Sequence, residues 1–555
     1  MNKETKTCQN CKNDFTIESE DFAFYEKMGV SAPRLCPECR FKRRAVFRNE
    51  FMLYNRTCDL CHSKIVSMYN PSAPYTVYCP DCWHSDQWDP FSYMRDYDPR
   101  RPFLEQLGGL IRAVPKSALY RSDVLVSINS PYENFAGGNK DCYLVANAGP
   151  NNENCAYARG MIKCRDVFDG YYVDKSERIY EGVGIHNSAG IAWGQNVFDS
   201  LDSSYCIDCT GLQNCFGCVN LRHKSYHFLN KPLSREEYCR RVAAIQGSHR
   251  ANKEFREQFE RFSLTFPRRA SNNLKSVDVS GNYIFESKNC RTSFEVSYAE
   301  NLHYAFSVKL AKDAYDMIGH GRSAELLLET VAVGYGSRII AGWWVENCQK
   351  VEYSLATRGS EHCFGCDGIK NAKYAILNKQ YPEEEYKRIR AQIVEELRHA
   401  GEYGLFFPQA LALFSYNETI GQENFPMTKE ETLAQGFRWE DELQMTTSKE
   451  TMKPEEIHDH IRDVQDSITN EILACIVCRR NYRIIPSELA FYRTMIVPIP
   501  RKCFYCRHRN RIERRGPMKI YDRTCDNCKK PIKTSYAPDR PEIVYCEQCY
   551  QSEVI

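Results

Sequence analysis

The sequence predicts a multi-domain, mainly β protein. Two central β-solenoid-like repeat modules with capping helices are expected to lie between tandem cysteine-rich modules at both ends. Three observations support this fold class. An eight-cysteine pattern occurs near each end of the chain, at a constant offset of 467 positions. Two central segments, 215–241 and 363–389, match at an offset of 148. Short β-prone stretches separated by Asn, Gly, Asp and Ser precede each of these segments.

Length and composition narrow the class of protein. A chain of 555 residues is too long for one core. Its 74 Lys and Arg nearly balance 72 Asp and Glu, so overall charge indicates no partner. Most of the 28 cysteines lie in C-x-x-C pairs, which favours metal sites over a small disulfide scaffold. The polar start MNKETKTCQNCKND and the lack of an 18-residue apolar run lead us to expect a cytoplasmic protein with no membrane partner.

The patterns divide the chain into eight predicted segments. Cysteine-rich modules 1 and 2 span 1–56 and 57–90, a linker spans 91–120, central modules A and B with their capping helices span 121–267 and 268–408, an acidic linker with short helices spans 409–471, and cysteine-rich modules 3 and 4 span 472–522 and 523–555. A β-sandwich in each central module is the alternative to a solenoid of stacked β-coils.

The terminal cysteines have the spacing of tetrathiolate zinc sites. The predicted ligands are Cys8, Cys11, Cys36, Cys39, Cys58, Cys61, Cys79, Cys82, Cys475, Cys478, Cys503, Cys506, Cys525, Cys528, Cys546 and Cys549. Two C-x-x-C turns complete one four-cysteine shell, so we expect about four zinc ions per chain. Pairing of consecutive turns makes the smaller loops, and a cross-braced pairing is the alternative. Four thiolates leave no position for water, which indicates structural rather than catalytic metal.

The segment TCQNCKNDFTIESEDFAFYEKMGVSAPRLCPECRFKRR resembles the zinc-ribbon (treble-clef-like) domain of uncharacterised bacterial proteins. The shared features are the C-x-x-C pair, a central Phe-Tyr, and a Pro before C-P-x-C-R with basic residues after it. The resemblance covers 8–44 well and 475–511 nearly as well, although Phe504 replaces the Pro of C-P-x-C. The whole arrangement resembles a family of zinc-ribbon proteins from small-genome uncultivated bacteria. That resemblance implies zinc binding and supplies no established reaction.

Basic residues follow the second C-x-x-C pair at both ends. Residues 34–56 hold seven Lys and Arg against Glu38 and Glu50, and residues 501–523 hold nine against Glu513 and Asp522. We expect a short helix that places these cations on one face. Such a patch with interleaved aromatics suits contact with RNA or DNA. The predicted phosphate contacts are Arg40, Lys42, Arg43, Arg44, Arg507, Arg509 and Arg511, with Phe41 and Tyr505 as stacking partners.

Two other interpretations of this basic patch remain open. The first is a protein-interaction scaffold or assembly factor held by structural zinc, in which the end modules bind a protein partner or self-associate. The second is a solvated helix face, or ion pairs with the acidic linker. Phosphate contact predicts an affinity that falls steeply with salt, and this separates it from the alternatives.

Each central module is predicted to end in a helix. Ser234 with Glu237 three residues later has the pattern of a capping box. Pro382, followed by acidic residues, indicates the first turn of the second helix. Thr428 with Glu431 predicts a further short helix in the acidic linker.

The central cysteines have two interpretations. Cys206, Cys209, Cys215 and Cys218 form two C-x-x-C pairs and could hold a fifth zinc ion. The equivalents of the first two in module B are Ser354 and Thr357, which favours small core residues stacked inside coils.

We expect binding rather than catalysis. No nucleotide-binding glycine loop, nucleophile elbow or H-E-x-x-H motif is present. The remaining alternative is a carbohydrate-active β-solenoid that uses acidic residues. Its candidates are Asp166, Asp169, Asp199, Asp202 and Asp208, most of which are predicted in turns. The scattered histidines His186, His223, His227, His303 and His320 are predicted to have structural roles.

Overall fold

The computed structural model describes residues 3–122 and 125–554. The chain divides into two compact units. Unit 1 combines Met1–Tyr120 with Asn273–Leu443, and unit 2 combines Arg121–Asn272 with Gln444–Ile555. The N-terminal cysteine-rich segments therefore belong with module B, and the C-terminal ones with module A. Sequence order alone did not indicate this pairing.

The α-helices of the described residues range from five to eighteen residues. They are α1 (Ser19–Met28), α2 (Pro37–Ala45), α3 (Pro80–His84), α4 (Phe103–Ala113), α5 (Arg235–Ala243), α6 (His249–Ser263), α7 (Glu383–Ala400), α8 (Ile420–Asn424), α9 (Lys429–Ala434), α10 (Pro486–Met495), α11 (Phe504–Arg515) and α12 (Glu547–Val554). Single 3₁₀ turns lie at Pro90–Tyr93, Gln409–Leu411, Tyr416–Glu418, Ile461–Asp463 and Asp466–Asn470.

The strands are more numerous, and most have four residues. Those in the first half of the chain are β1 (Glu4–Thr7), β2 (Asp14–Ile17), β3 (Tyr54–Thr57), β4 (Lys64–Ser67), β5 (Val77–Tyr78), β6 (Lys116–Ser117), β7 (Asn139–Lys140), β8 (Asn152–Glu153), β9 (Arg159–Ile162), β10 (Arg165–Phe168), β11 (Tyr171–Asp174), β12 (Glu177–Tyr180), β13 (Val183–His186), β14 (Ala189–Ala192), β15 (Gln195–Phe198), β16 (Leu201–Ser204), β17 (Ile207–Thr210), β18 (Gln213–Phe216), β19 (Ser225–Phe228), β20 (Lys231–Pro232) and β21 (Arg268–Arg269). The remainder are β22 (Gly281–Phe285), β23 (Ser293–Ser297), β24 (Glu300–His303), β25 (Phe306–Gly334), β26 (Ser337–Ile340), β27 (Trp343–Glu346), β28 (Gln349–Glu352), β29 (Leu355–Arg358), β30 (Glu361–Phe364), β31 (Lys373–Ile376), β32 (Lys379–Gln380), β33 (Leu473–Ala474), β34 (Asn481–Tyr482), β35 (Tyr521–Thr524), β36 (Pro531–Thr534) and β37 (Val544–Tyr545).

Unit 2 is built on parallel sheets whose register advances by a fixed step. One sheet has the order β20-β19-β18-β16-β14-β12-β10-β8-β7, and a second has β17-β15-β13-β11-β9. In the first sheet, Arg165, Glu177, Ala189, Leu201 and Gln213 are successive partners, each twelve residues after the last. The predicted mainly β character is confirmed.

The core of unit 2 has a three-residue period. From Cys155 to Cys218 its buried members lie at intervals of three or a multiple of three, as in Ala158, Met161, Cys164 and Val167, whereas those from Ala136 to Ala148 are one residue out of phase. Small residues occupy the intervening inward positions, and inward serines bond between repeats: the Ser176, Ser188 and Ser200 hydroxyls each accept an N–H from the residue twelve positions later, at 3.0–3.1 Å. Each twelve-residue repeat therefore buries four side chains.

Left-handed backbone accounts for the Asn, Asp and Gly content of this region. Every third residue over long stretches has positive φ, including Asn187 (48°), Asp199 (49°) and Asp202 (44°). Asn and Asp tolerate this region better than other non-glycine residues. The turn residues that the sequence spaces regularly are therefore the corners between short extended pieces.

Unit 1 repeats this arrangement, again with one break in phase. Its parallel sheet contains strands β22 to β32, and register partners such as Glu300 and Lys312 are again twelve apart. The inward period of three runs up to Met317 and resumes at Ala324, one residue out of phase. An inserted residue within β25 therefore shifts the repeat.

The predicted helix starts are present at the ends of the modules. The Ser234 side chain accepts the N–H of Glu237 at 3.2 Å and begins α5. Pro382 precedes the first residue of α7. Thr428 and Glu431 form a reciprocal capping box at α9. The Ser234 and Thr428 side chains each satisfy an N–H group that the first turn leaves unpaired, whereas Pro382 makes no side-chain cap.

Candidate metal centres and arginine helices

Four groups of four cysteines are brought together among the described residues. The groups are Cys8, Cys11, Cys36, Cys39; Cys58, Cys61, Cys79, Cys82; Cys475, Cys478, Cys503, Cys506; and Cys525, Cys528, Cys546, Cys549. Within each group all four sulfur atoms lie within 4.8 Å of one another. The predicted sequential pairing of C-x-x-C turns is confirmed.

The sulfur positions fit a tetrahedral ion. A Zn–S bond of about 2.3 Å gives a tetrahedral edge of about 3.8 Å. In each group, one sulfur–sulfur distance between the two turns is close to this edge. The distances are 3.7 Å for Cys11–Cys36, 3.9 Å for Cys61–Cys79, 3.5 Å for Cys478–Cys503 and 3.8 Å for Cys528–Cys546. All of these cysteines are free thiols rather than disulfides.

Each group is assembled from the same two elements. The first C-x-x-C pair occupies a turn between two antiparallel strands, as between β1 and β2. The second pair begins a helix, namely α2, α3, α11 or α12. In α2, Cys36 is the N-cap and Pro37 the first helical residue, whose fixed φ suits that position. The predicted helix after the second pair is confirmed in all four modules.

Hydrogen bonds lower the pKa of one ligand in each N-terminal group, Cys39 and Cys61, whereas the pKa of Cys36 and that of Cys82 are raised. The Cys39 N–H donates to the sulfur of Cys36 at 3.5 Å, and Asn10 Nδ2 donates to the sulfur of Cys39 at 3.4 Å. Bonding to Cys36 outweighs burial and, with Asn10, lowers the pKa of Cys39 to about 5. In the second group, hydrogen bonding from Ser63 lowers the pKa of Cys61 to about 6. A thiolate is the form that binds metal.

The central cysteines are placed differently. Cys206, Cys209, Cys215 and Cys218 form no four-sulfur group among residues 3–122 and 125–554. They lie in the three-residue core of unit 2 and are fully buried. Their thiols face backbone carbonyls, as Cys209 does at Ile207 (3.2 Å). The C-x-x-C spacing here reflects the core period, so the fifth zinc site is not present in this geometry.

The arginines of α2 lie in a buried ion-pair cluster. Arg40 is 2.9 Å from Asp316 and 3.7 Å from Glu329. Arg44 is 3.0 Å from Asp316 and 2.5 Å from Glu329. None of the four side chains is more than 2 % exposed. The two guanidinium groups are therefore occupied by carboxylates of β25 and do not form an open surface for phosphate.

The arginines of α11 form the equivalent cluster in unit 2. Arg507 is 3.0 Å from Asp169 and 3.4 Å from Glu488. Arg511 is 2.7 Å from Asp169 and 3.5 Å from Glu181. Both arginines are buried. The sequence pattern identified the cations correctly and assigned them the wrong surroundings.

The other predicted phosphate contacts, Arg43, Lys42 and Arg509, differ in burial and in their partners. Arg43 is buried, forms an ion pair with Glu402, and donates to backbone carbonyls. Lys42 is buried and lies 2.8 Å from Glu38, one turn earlier. Arg509 is exposed. Six of the seven predicted cations are thus buried.

The two predicted stacking aromatics also have neighbours within the protein. Phe41 is buried, with its ring 5.8 Å from Phe306 and 5.3 Å from Phe425. The Tyr505 ring lies under the guanidinium group of Arg480, at 4.2 Å. Phe41 is unavailable to stack on a base in this structure.

The two arginine clusters share several contacts. The guanidinium group of Arg40 lies 4.9 Å from the ring of Tyr304, and that of Arg507 lies 5.1 Å from the ring of Tyr157. Phe24 stacks on Tyr315 at 3.9 Å, as Phe491 does on Phe168 at 4.2 Å. The Tyr304 hydroxyl donates to Asp21 at 3.1 Å, and the Tyr157 hydroxyl donates to Glu488 at 3.2 Å. The helix residues are related by the offset of 467 found in the cysteines. Both duplications thus belong to one repeated interface.

The two interfaces differ in their other contacts: the second carboxylate partner of Arg40 is Glu329, whereas that of Arg507 is Glu488, the counterpart of Asp21. His303 Nδ1 lies 2.8 Å from Asp21 in unit 1. Burial raises the pKa of Asp21, but the hydrogen bond and charge of His303, together with hydrogen bonds from Glu18 and Tyr304, outweigh it, and the net shift is downward. The structural role predicted for His303 agrees with this placement. In unit 2, Glu488 takes the place of Asp21 and bonds Tyr157 and Tyr492 instead.

The candidate catalytic aspartates have separate partners. Asp169 belongs to the arginine cluster, and Asp208 lies 3.4 Å from Arg268. Asp166 accepts a hydrogen bond from Asn154 at 2.5 Å, twelve residues earlier. The Asn187 amide donates to Asp199 in the same way at 3.2 Å. These carboxylates therefore have distinct structural neighbours within the repeats.

Comparison with known proteins adds little. No family model matches the chain, and no curated protein matches it. Among solved structures, a putative acetyltransferase from Desulfovibrio desulfuricans G20 aligns over 51 % of this chain and 79 % of its own, at 9 % identity and a TM-score of 0.10. A similarity at this level carries no argument about fold or activity. Within the described segments, no helix is long and apolar enough to cross a membrane.

Proposed function

We propose that this protein is a zinc-binding, non-enzymatic protein-interaction scaffold. One observation carries the proposal: the arginine helices of both units are buried against carboxylates of the same unit. A duplicated, buried and ion-paired interface of this kind serves to fix a cysteine-rich module on a β module. It leaves the β surfaces, rather than the basic helices, as the area available to a partner.

The sixteen terminal cysteines would hold four zinc ions. Four sulfur ligands in a tetrahedron favour zinc over the harder divalent ions. Bound zinc would supply structural cross-links, because a shell of four thiolates has no position for substrate or water. The cysteine-rich modules are too small to be stable without such a link.

The twelve-residue parallel register supports a β-solenoid in each unit. In this interpretation each repeat is one rung, four inward side chains fill it, and hydrogen bonds join it to the next rung. Such stacks present long regular surfaces and are common binding platforms. The interpretation supports a scaffold without requiring a catalytic cleft.

Nucleic-acid binding is the second candidate function, carried by the cations that remain exposed on the C-terminal modules. These are Arg479, Arg483, Arg493, Arg509, Lys519, Lys529, Lys530, Lys533 and Arg540. Of the phosphate contacts predicted from the sequence, this set includes Arg509. The contacts of these cations would lie on the outer faces of the modules rather than on the helix face that carries Arg507 and Arg511.

Fluorescence anisotropy with mixed RNA and DNA oligonucleotides at low salt tests the choice. The scaffold proposal predicts no binding that weakens steeply with added salt. Salt-sensitive binding that is lost in a variant with Arg509→Glu, Lys529→Glu and Lys530→Glu, and kept in the control Lys253→Glu on α6, would replace it with the nucleic-acid function.

A further inference from the structure

Unit 1 has an open groove on the face of its parallel sheet. The groove has a volume of about 960 Å³. Its floor consists of small inward residues, among them Ser287, Ala299, Ala311 and Ala324. Because these residues are small and recur in successive repeats, the groove runs in the direction in which the repeats stack.

One wall of the groove is a ladder of alternating charge. It consists of Lys288, Glu300, Lys312 and Glu325, which we call the charge ladder. Lys288 and Glu300 are register partners, as are Glu300 and Lys312. Glu325 lies beyond the residue inserted in β25. Each of the four charged residues comes directly after an inward residue of the floor in the sequence. Read along the stack, the charges are plus, minus, plus, minus.

The ladder is accessible and only weakly satisfied within the chain. The Lys312 and Glu300 side chains lie 3.3 Å apart and remain 55 % and 42 % exposed. Exposed ion pairs of this kind contribute little to stability, so their charges remain free to interact with a partner. The same groove exposes apolar side chains: Tyr298 is 42 % and Leu310 51 % exposed, and Val277 is 59 % exposed.

The spacing of the ladder indicates what would bind it. Neighbouring rungs of a sheet are about 4.8 Å apart, whereas side chains on one face of an extended peptide repeat at about 6.8 Å. A peptide lying along the groove would lose register with the charges after one or two residues. A second stack of rungs has the same spacing and stays in register along the whole ladder.

The order of the charges is self-complementary. Reversed, plus-minus-plus-minus becomes minus-plus-minus-plus, so a two-fold axis between Glu300 and Lys312 places opposite charges face to face at every rung. Lys312 then meets the partner's Glu300, and Lys288 meets the partner's Glu325. Closed two-fold pairing is also the commonest symmetry of protein oligomers.

Unit 2 repeats the alternation with less apolar surface. Lys140, Glu153, Arg165 and Glu177 are successive register partners, and the last three line a groove of about 550 Å³. Leu201 is the exposed large apolar side chain of that groove. Unit 1 therefore offers the larger and more apolar surface for association.

We propose that the charge-ladder groove of unit 1 binds the same groove of a second copy of the chain in antiparallel, two-fold pairing. The inference rests on the proposed scaffold function and names a partner for it, namely the protein itself. Apolar contact through Leu310 and Tyr298 would supply affinity, and the ladder would set direction and register.

Sedimentation equilibrium of the zinc-loaded full chain tests the pairing. Wild-type protein is expected to dimerise at low salt and to dissociate as salt is added. Lys312→Glu places like charges opposite each other twice, once on each side of the axis, and is expected to raise the dimer dissociation constant at least tenfold. The double variant Lys312→Glu with Glu300→Lys exchanges the charges and should restore the wild-type constant.

Lys373→Glu is the matched control. It removes a similar exposed ion pair, with Glu361, from the same sheet but outside the groove. Its dissociation constant should equal that of wild type. A chain that stays monomeric up to about 100 µM at low salt, or a double variant no better than Lys312→Glu, would overturn the pairing. The scaffold proposal fails separately, through salt-sensitive binding to oligonucleotides.

Discussion

Asp316 is the anion on which the arginine cluster of unit 1 depends most directly. It lies 2.9 Å from Arg40 and 3.0 Å from Arg44 and is 1 % exposed. Asp316→Asn keeps its shape and removes its charge. Glu329 then remains as the partner of both buried guanidinium groups, and its distance to Arg40 is 3.7 Å. Removing one partner of a buried ion pair costs about 3–5 kcal/mol, because the other charge stays desolvated.

Asp313→Asn is the matched control for this prediction. Asp313 lies on the same strand, three residues earlier, and its partner Lys27 at 2.9 Å is 50 % exposed. Loss of that ion pair is expected to cost less than about 1 kcal/mol. Urea unfolding of the zinc-loaded protein, followed by tryptophan fluorescence, measures both. Five of the six tryptophans belong to unit 1, so the signal reports mainly on that unit. Equal effects of the two substitutions would refute the reasoning that the buried cluster holds the module in place.

Three further predictions concern the cysteines and one buried acid. Cys11→Ser is expected to lower the zinc content by one ion per chain, measured by mass spectrometry of the metal, whereas Cys239→Ser, an exposed cysteine outside the four groups, should leave it unchanged. Cys209→Ala should keep the full zinc content yet lower the free energy of unfolding by about 1–2 kcal/mol, because it opens a small cavity in the core; loss of zinc would contradict the core assignment. Burial raises the pKa of Glu488 to about 7, although Arg507 lowers it. The folded state then keeps a proton that the unfolded chain loses, so stability should fall as pH rises from about 4.5 to 7, by an amount on the order of 3 kcal/mol. Glu488→Gln should flatten that part of the pH profile, and an unchanged profile would exclude this acid as its source.

The metal centres could be predicted from sequence because their information is local. A C-x-x-C turn and the helix that follows it fix the position of two thiolates within a few residues. Because the whole eight-cysteine pattern recurs 467 positions later, few other groupings of the cysteines were possible. The same spacing misled at Cys206 and Cys209, where a core with a period of three also places cysteines three apart.

The surroundings of the arginines could not be predicted from local pattern. Arg40 and its partner Asp316 are separated by 276 residues. A signal was nevertheless present, because both central modules carry acids at matching positions: Glu181 matches Glu329 at the offset of 148. Asp169 matches Asp316 at 147, and the residue inserted in β25 hides that match from a uniform alignment.

Because each cysteine-rich end packs on the more distant central module, the contacts of the N-terminal end form late in translation. The ribosome releases α2 long before Asp316 and Glu329 exist. At roughly 5–20 residues per second, the 276 positions between Arg40 and Asp316 take roughly 14–55 s to translate. During this time the N-terminal segment of the growing chain exposes cations that have no carboxylates to neutralise them. The four-cysteine groups within that segment are the structure that it can complete on its own.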